Sequence, residues 1–304
     1  MKFRNEKVIG ILQVISGAAL FGLIPILVRF GESINTPALV FFRAFFGALF
    51  IYLLIKLSGR ELKKFNEEKV KLIGWSVILI LAIGTYFAAL KLLDIASAVL
   101  LLYSYSIFIV FLSRFWLKEK IYFHTIIALI ISIVGVVLII SPSGFKFQGN
   151  AVGYLFAISA AFFSALNFVF PKKYFQNYDI HSLVFYQSIW QLPVLISFVF
   201  FNPPTFSVAN LGIFASLGIF CTALSFLLVY GGSRKIPGQY VGILQTTEVI
   251  VPIVLGVLLF SEVPSPLVII GGLLLIFGYI IIGFKESELK SNEKEFAAKE
   301  QNQL

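Results

Sequence analysis

Ten long apolar runs dominate this chain of 304 residues. Each is long enough to cross about 30 Å of hydrocarbon at about 1.5 Å of helix rise per residue. Apolar residues make up 59% of the chain and charged residues 13%, which is about half the charged fraction of a soluble domain. The sequence therefore predicts an all-α integral membrane protein with ten transmembrane helices in a lipid bilayer. The runs cover residues 8–30, 36–57, 71–91, 95–117, 121–141, 150–171, 180–201, 209–231, 240–260 and 266–284.

The basic residues predict how the chain lies in the membrane. If the N-terminus is cytoplasmic, the cytoplasmic loops, the helix ends beside them and the two tails hold all but four of the 24 Lys and Arg residues. The exceptions are Arg29, Arg43, Lys91 and Lys146. This bias predicts a multi-pass protein of the cell inner (plasma) membrane with both termini cytoplasmic. The net charge of +9 is thereby explained, and no nucleic-acid partner is expected.

The chain also repeats itself. "ALVFFRAF" at 38–45 resembles "SLVFYQSI" at 182–189, and a shift of 143 residues places Glu119 on Glu262, Gly135 on Gly278 and Tyr105 on Glu248. Since five spans are an odd number, the second half is expected to lie upside down relative to the first. The predicted domains are a first repeat at 8–141, an inverted repeat at 150–284 and a cytoplasmic tail at 285–304. Chance similarity among apolar helices is the alternative.

Several segments carry a family resemblance across residues 8–284. They are "FFRAFFGAL" around Arg43, "LLDIASAVLLLYSYSIFIVFLSRFWLKEKI", "GGSRKIPGQYVGILQTTEVIVPIVLGVLLFSE" and "IIGGLLLIFGYIII". Together with the five-plus-five pattern they resemble an EamA-type member of the drug/metabolite transporter superfamily. In that family a glutamate followed by proline often precedes a second glutamate by about a dozen residues, and Glu248 and Glu262 match the two glutamates. Val249 replaces the expected proline, and a proline stands at 252 instead. The resemblance implies a transporter, with a bias toward export of amino acids or other metabolites.

Glu248 and Pro252 interrupt the ninth apolar run. Pro252 lacks an N–H, so the Glu248 carbonyl loses its helical partner. Gln245, Glu248 and Pro252 share one helix face, and a carboxylate facing lipid would cost several kcal/mol. That face should line a cavity or pack against another helix. Glu248 could exchange a proton during transport, or it could be a protonated side chain that bridges two helices.

Further polar and aromatic groups inside the spans complete a candidate substrate-binding set. Arg43 could pair with Glu248, bind an anionic substrate group, or extend toward the outer surface. The set offers ring faces and hydrogen bonds but no Lys and Arg cluster for a phosphate. It therefore favours a compact neutral or zwitterionic solute, such as an amino acid. The candidates are Arg43, Tyr86, Tyr103, Tyr105, Asn167, Trp190, Gln245, Thr246 and Glu248.

No catalytic signature accompanies these residues. The sequence contains no HExxH, paired catalytic carboxylates, P-loop or nucleotide-binding glycine motif, and its single cysteine, Cys221, excludes an internal disulfide. The chain is not expected to be an enzyme or to bind a cofactor or a metal. The prediction is a monomeric secondary transporter or facilitator that moves a small organic metabolite by alternating access, with proton coupling as a further expectation. Export of other metabolites or drugs, or a membrane enzyme, are the alternatives.

Overall fold

The structure is a computed structural model that describes residues 2–30, 34–63, 68–93, 95–140, 151–201, 203–204, 206–261 and 263–282. These residues form fifteen α-helices, a π-helix at Ile219–Leu224 and a 3₁₀ helix at Gln245–Val249. The α-helices are α1 Lys2–Phe21, α2 Ile24–Phe30, α3 Thr36–Leu57, α4 Lys69–Leu92, α5 Ile95–Tyr103, α6 Tyr105–Phe115, α7 Phe123–Ile140, α8 Ala151–Tyr174, α9 Ile180–Ile189, α10 Leu192–Phe201, α11 Val208–Gly218, α12 Ser225–Ser233, α13 Gly238–Leu244, α14 Ile250–Phe260 and α15 Pro266–Ile282.

The apolar runs predicted from the sequence are helical in the structure. Within the described residues, nine helical segments are long and apolar enough to cross a membrane, from Glu6–Val28 to Gly238–Leu259. The shorter apolar helix α15 follows them. The expectation of an all-helical membrane chain is confirmed for these segments. The predicted tail at 285–304 lies outside the described residues, as does Glu262.

Several spans are broken near their middle rather than continuous. The first run divides at Gly22–Leu23, the fourth at Ser104 and the seventh at Trp190–Gln191, while the ninth passes through the 3₁₀ helix at 245–249. The sequence predicts the irregularity before Pro252, and the structure places it over the turn that precedes this proline. Broken helices inside a membrane free backbone groups for a buried site.

Equivalent helices of the two halves pack reciprocally. A Cβ added at Gly135 would lie 2.7 Å from the Gly271 carbonyl oxygen, and one at Gly278 would lie 3.2 Å from the Ala128 carbonyl oxygen. A shift of 143 residues places Gly135 on Gly278 and Ala128 on Gly271. The contact of Gly135 with Gly271 and the contact of Gly278 with Ala128 are therefore equivalent. The same exchange relates the packing of α4 on α8 to that of α1 on α12. Reciprocal contacts of this kind are the pattern that a two-fold axis generates.

Candidate substrate site

The centre of the candidate site is a hydrogen bond between two interrupted spans. The Tyr105 hydroxyl donates to Oε1 of Glu248 over 3.0 Å. Tyr105 is buried and begins α6 directly after the break at Ser104, whereas Glu248 is half-buried in the 3₁₀ helix. Both side chains are thus held where regular helix geometry ends. The two residues lie one repeat apart, at the 143-residue spacing found in the sequence.

Tyrosine rings surround this carboxyl. The Tyr103 and Tyr105 ring centroids are 5.8 Å apart, and Tyr86 and Tyr279 also lie close enough to interact with the Glu248 charge. The Thr246 hydroxyl contacts both the Ile243 carbonyl oxygen at 2.7 Å and the Tyr279 hydroxyl at 3.0 Å. The lining is therefore mainly aromatic and neutral around one acid. We call these residues, together with Gln245, the central site.

Gln245 is the unsatisfied member of the central site. It is only 1% exposed, and neither its amide nitrogen nor its amide oxygen has a hydrogen-bond partner. Residues i and i+3 of a 3₁₀ helix eclipse each other, so the 3₁₀ helix stacks Gln245 in line with Glu248. Leaving a buried polar group unpaired costs about 1–3 kcal/mol. An amide kept unpaired beside the only carboxyl of the central site is a candidate ligand-binding group.

The first span holds the 3₁₀ helix in place from the other side. A Cβ added at Gly22 would lie 2.7 Å from the Glu248 carbonyl oxygen and 2.6 Å from Cβ of Val251. The carbonyl that Pro252 deprives of its helical partner therefore faces the break between α1 and α2. Glycine is required here because any side chain would collide with this backbone. The break between α1 and α2 therefore lies against the central site.

Arg43 binds a different irregular segment. Its Nε donates to the Thr222 hydroxyl over 2.7 Å and its Nη2 donates to the Cys221 carbonyl oxygen over 3.1 Å. Both acceptors belong to the π-helix, a distortion that occurs often at functional sites. The guanidinium borders a cavity between α3, α4, the start of α10 and the π-helix. It makes no hydrogen bond to Glu248, although the two charges are close enough to interact.

Two predicted site residues lie in other clusters. The Asn167 side-chain oxygen accepts from the Gln187 amide at 2.7 Å and its nitrogen donates to the Tyr230 hydroxyl at 3.3 Å, while this hydroxyl donates back to Gln187 at 3.2 Å. These three buried groups satisfy one another in a closed ring. Trp190 lies under the Lys69 ammonium, 5.6 Å from the ring centroid. The other candidates meet in the central site or, for Arg43, beside the π-helix.

Sequence reasoning left three residues out of the candidate set. Tyr279 faces the central site, Thr222 anchors Arg43, and Gln191 borders the Arg43 cavity. A polar or hydroxyl group inside an apolar run was the available signal for each of them. The π-helix has no comparable signal, because nothing in "IFCTAL" departs from ordinary helix-forming sequence. Within the described part of the chain, no three His, Cys, Asp or Glu side chains gather as a metal site.

Comparison with known proteins shows the family to which this chain belongs. The model of the EamA-like transporter family matches residues 8–141 and again residues 151–284. The chain belongs to the EamA-like transporter family. It is thus a multi-pass membrane transporter of the drug/metabolite transporter superfamily, whose named members move small metabolites.

Named relatives of this EamA-like protein span almost its whole length. It is 25% identical over 279 residues to the pseudopaline exporter CntI of Pseudomonas aeruginosa strain UCBPP-PA14, covering 90% of this chain and 95% of that protein. It is 22% identical over 273 residues to the S-adenosylmethionine uptake transporter of Rickettsia prowazekii, covering 87% and 88%. A solved structure with 18% identity superposes with a TM-score of 0.79 over 91% of this chain and 97% of that one. That likeness concerns the fold alone.

Proposed function

We propose that this EamA-like protein is a monomeric secondary transporter for a compact amino acid with an apolar or aromatic side chain. Two inverted five-helix halves alternate the access of a central site to either side of the membrane. The hydrogen bond between Tyr105 and Glu248 carries this proposal, because it joins two broken spans at equivalent positions of the repeat. Sites of this construction near the midplane are typical of transporters built from inverted repeats.

The reciprocal contacts of α7 and α15 support the inverted arrangement. Ten crossings, with α15 as the tenth, give each half five spans. Five consecutive crossings bring the chain to the opposite side of the membrane, so the second half begins from the side opposite to the first. A two-fold axis that relates such halves must lie in the membrane plane. The charge bias of the loops further supports an inner-membrane orientation with both termini cytoplasmic.

The chemistry of the central site supports the substrate class. Glu248 can accept hydrogen bonds from a substrate ammonium, and the tyrosine rings provide faces for an apolar or aromatic side chain. No basic cluster accompanies them among the described residues, and an uncompensated phosphate would be costly to bury. The names of the two relatives include both an uptake transporter and an exporter, so they leave the direction of transport open.

Proton coupling is part of the proposal. Glu248 is the acidic side chain of the central site, and a carboxyl within a membrane can bind a proton in one state and release it in another. A substrate ammonium and a proton would then compete for the same carboxyl. Such competition links substrate movement to proton movement without any further group.

Counterflow in proteoliposomes tests the proposed substrate class. Vesicles that contain the purified protein are loaded with unlabelled solute, and uptake of radiolabelled phenylalanine, threonine or a sugar phosphate is followed. We expect exchange of at least one of the two amino acids and none of the sugar phosphate. Exchange of the sugar phosphate, with neither amino acid moving, would overturn the proposal. Protein-free vesicles provide the background for leakage.

A further inference from the structure

Arg43 is a charged group with no ion-pair partner among the described residues. Both of its hydrogen-bond partners, the Thr222 hydroxyl and the Cys221 carbonyl, are neutral. Among the described residues, no carboxylate lies within ion-pair distance of the guanidinium. A cation in a membrane interior is costly unless it is paired. The second half does not repeat this feature, since the equivalent position is Gln187 in the closed ring with Asn167.

The guanidinium is fixed so that part of it faces a cavity. Its Nε and Nη2 are held by the π-helix, which leaves Nη1 for a further acceptor. The cavity beside it has apolar walls that include Leu79, Ile83 and Phe226. The Gln191 amide nitrogen, also at this cavity, donates to the Gln187 carbonyl oxygen over 2.8 Å. A fixed positive donor beside apolar walls suits a single carboxylate attached to an apolar group.

We propose that Arg43, positioned by Thr222 beside the Gln191 cavity, is the subsite for the carboxylate of the substrate. This inference rests on the proposed function. It assigns the two charged groups of the substrate to two different residues. Glu248 receives the ammonium, and Arg43 receives the carboxylate. The substrate class is then α-amino monocarboxylates, and amines or amides of the same shape are excluded.

Competition by carboxylate-free analogues tests the subsite. Counterflow of radiolabelled phenylalanine is measured against unlabelled phenylalanine, phenylalaninamide and phenethylamine. In the wild type we expect only phenylalanine to compete. Arg43→Gln should weaken competition by phenylalanine about ten- to a hundredfold, the range of one or two charge-assisted hydrogen bonds, and should leave the amide and the amine unchanged. Arg43→Lys keeps the charge but loses the two-pronged donor, and should recover only part of the preference.

Matched variants separate binding from folding. Thr222→Val should reduce the preference for the acid over the amide, since it removes the group that holds Nε. Thr85→Val is the control, because this hydroxyl bonds only the carbonyls of its own helix. The subsite is overturned if the acid-over-amide preference persists in Arg43→Gln, or if the wild type accepts the amide equally well. Arg43-dependent exchange of phenylpropionate without any amino acid exchange would instead reject the proposed substrate and retain the carboxylate subsite.

A separate set of contacts joins the two halves at the end of α6. Both carboxylate oxygens of Glu119 accept from the Gly238 backbone N–H, at 3.1 and 2.8 Å, and Oε1 also accepts from Lys172 at 2.7 Å. The Lys172 ammonium donates in addition to the Ile236 carbonyl oxygen at 2.7 Å. One acid of the first half thus binds α8 and the start of α13, both in the second half. We call these contacts of Glu119 the Glu119 latch.

The latch is well protected and has close packing beneath it. Lys172 is 9% exposed and Glu119 19% exposed, so solvent weakens their attraction less than that of a surface pair. A Cβ added at Gly238 would lie 2.6 Å from the Ser113 hydroxyl oxygen, which shows how closely α13 approaches α6. Separation of the halves at this end requires all of these bonds to break.

We infer that the Glu119 latch is a gate that keeps this end of the transporter closed. It is independent of the substrate assigned above, because it depends only on contacts between the halves. Opening replaces the Lys172 and Gly238 partners of Glu119 by water. The charge bias predicts that this end faces the cytoplasm, since Lys118, Lys120 and Lys173 lie beside it.

Labelling of a cysteine beneath the latch tests this gate. Ser113→Cys is introduced into a Cys221→Ala background, and its reaction with a membrane-impermeant maleimide is followed in inside-out and right-side-out vesicles. Glu119→Gln should accelerate labelling several-fold from one side. Lys172→Gln should do the same, and Lys172→Arg should restore slow labelling. Glu68→Gln is the matched control, since it breaks a surface pair with Lys71 of the same 2.7 Å length. Unchanged labelling of both latch variants from both sides would overturn the gate.

Discussion

The Tyr105 hydroxyl touches the carboxyl of its own counterpart, Glu248, at 3.0 Å. In the proposed inverted repeat, two equivalent groups that meet in this way lie close to the axis that exchanges the halves. The chemical difference between them makes the centre asymmetric, because the first half supplies a phenol and the second half an acid. Arg43 and Gln187 differ in the same manner, one binding the π-helix and the other the ring with Asn167. Residues at equivalent positions of the repeat therefore have different hydrogen-bond partners in the two halves.

Glu248→Gln should reduce transport and change its pH dependence while expression stays near normal. The amide keeps the size of the side chain and its ability to accept from Tyr105, but it cannot titrate. Initial rates of counterflow and of proton-driven uptake, measured from about pH 5.5 to about pH 8, check this expectation. Tyr105→Phe removes the hydrogen bond and retains the acid, so its pH dependence should persist. Unchanged rates of Glu248→Gln over the whole range would assign this carboxyl a purely structural role.

Gly22→Ala should destabilise the protein and impair transport. Its new Cβ would lie 2.7 Å from the Glu248 carbonyl oxygen and 2.6 Å from Val251, and overpacking of this kind costs about 1–3 kcal/mol. The midpoint of thermal unfolding in detergent and the counterflow rate measure both effects. Gly84→Ala is the control, because nothing lies within 4 Å of its added Cβ and alanine favours the helix. If both variants behave alike, the close contact at Gly22 is not a constraint on the central site.

The sequence predicts the interruption of the ninth span, but it predicts neither the breaks at Ser104 and Trp190–Gln191 nor the polar partners. Pro252 acts through its own backbone, so its effect can be predicted from the local sequence. The ring of Asn167 with Gln187 and Tyr230 depends on three different spans, and periodicity within one span does not identify such partners. A polar residue in an apolar run indicates that it is shielded from lipid, but a substrate site and a closed hydrogen-bond ring shield it equally well. This is why Asn167 resembled a site residue in the sequence.

Asp179 should stabilise the start of α9 in a pH-dependent manner. Burial raises the pKa of this carboxyl, but the hydrogen bonds from the Ser182 N–H and hydroxyl outweigh burial, and its pKa lies below the usual value. A depressed folded-state pKa contributes stability above the unfolded pKa of about 3.9, and this contribution is lost as the pH falls through the folded pKa. The unfolding midpoints of wild type and Asp179→Asn should therefore differ at about pH 7, and the difference should shrink as the pH falls below the unfolded pKa.

A second variant separates the cap from the charge. Asp179→Ala should lose about 0.5–2 kcal/mol at neutral pH, because alanine cannot accept from the Ser182 N–H. Asn caps helices about as well as Asp, so Asp179→Asn should lose less. A difference between wild type and Asp179→Asn that is constant with pH would contradict the assignment to ionisation.

The predicted topology can be checked by single-cysteine labelling of intact cells in a Cys221→Ala background. An impermeant reagent should reach cysteines placed at Lys146 or Thr205 and miss those at Lys64 or Glu295. The reason is the concentration of Lys and Arg in the loops assigned to the cytoplasm. Permeabilised cells supply the control, since all four positions should react there. Reaction at position 64 in intact cells would reverse the orientation.

Asn167 and Gln245 should respond oppositely to an apolar substitution, although both are buried amides. Asn167→Leu leaves the Gln187 amide nitrogen without its acceptor and removes the hydrogen bond that the Tyr230 hydroxyl accepts. An unpaired buried group costs about 1–3 kcal/mol, so the unfolding midpoint should fall. The folded protein of this variant should rank competing solutes in counterflow in the same order as the wild type. Gln245→Leu breaks no hydrogen bond in the protein, so the unfolding midpoint should hold or rise while counterflow falls. Normal counterflow by Gln245→Leu would contradict a role of this amide in substrate binding.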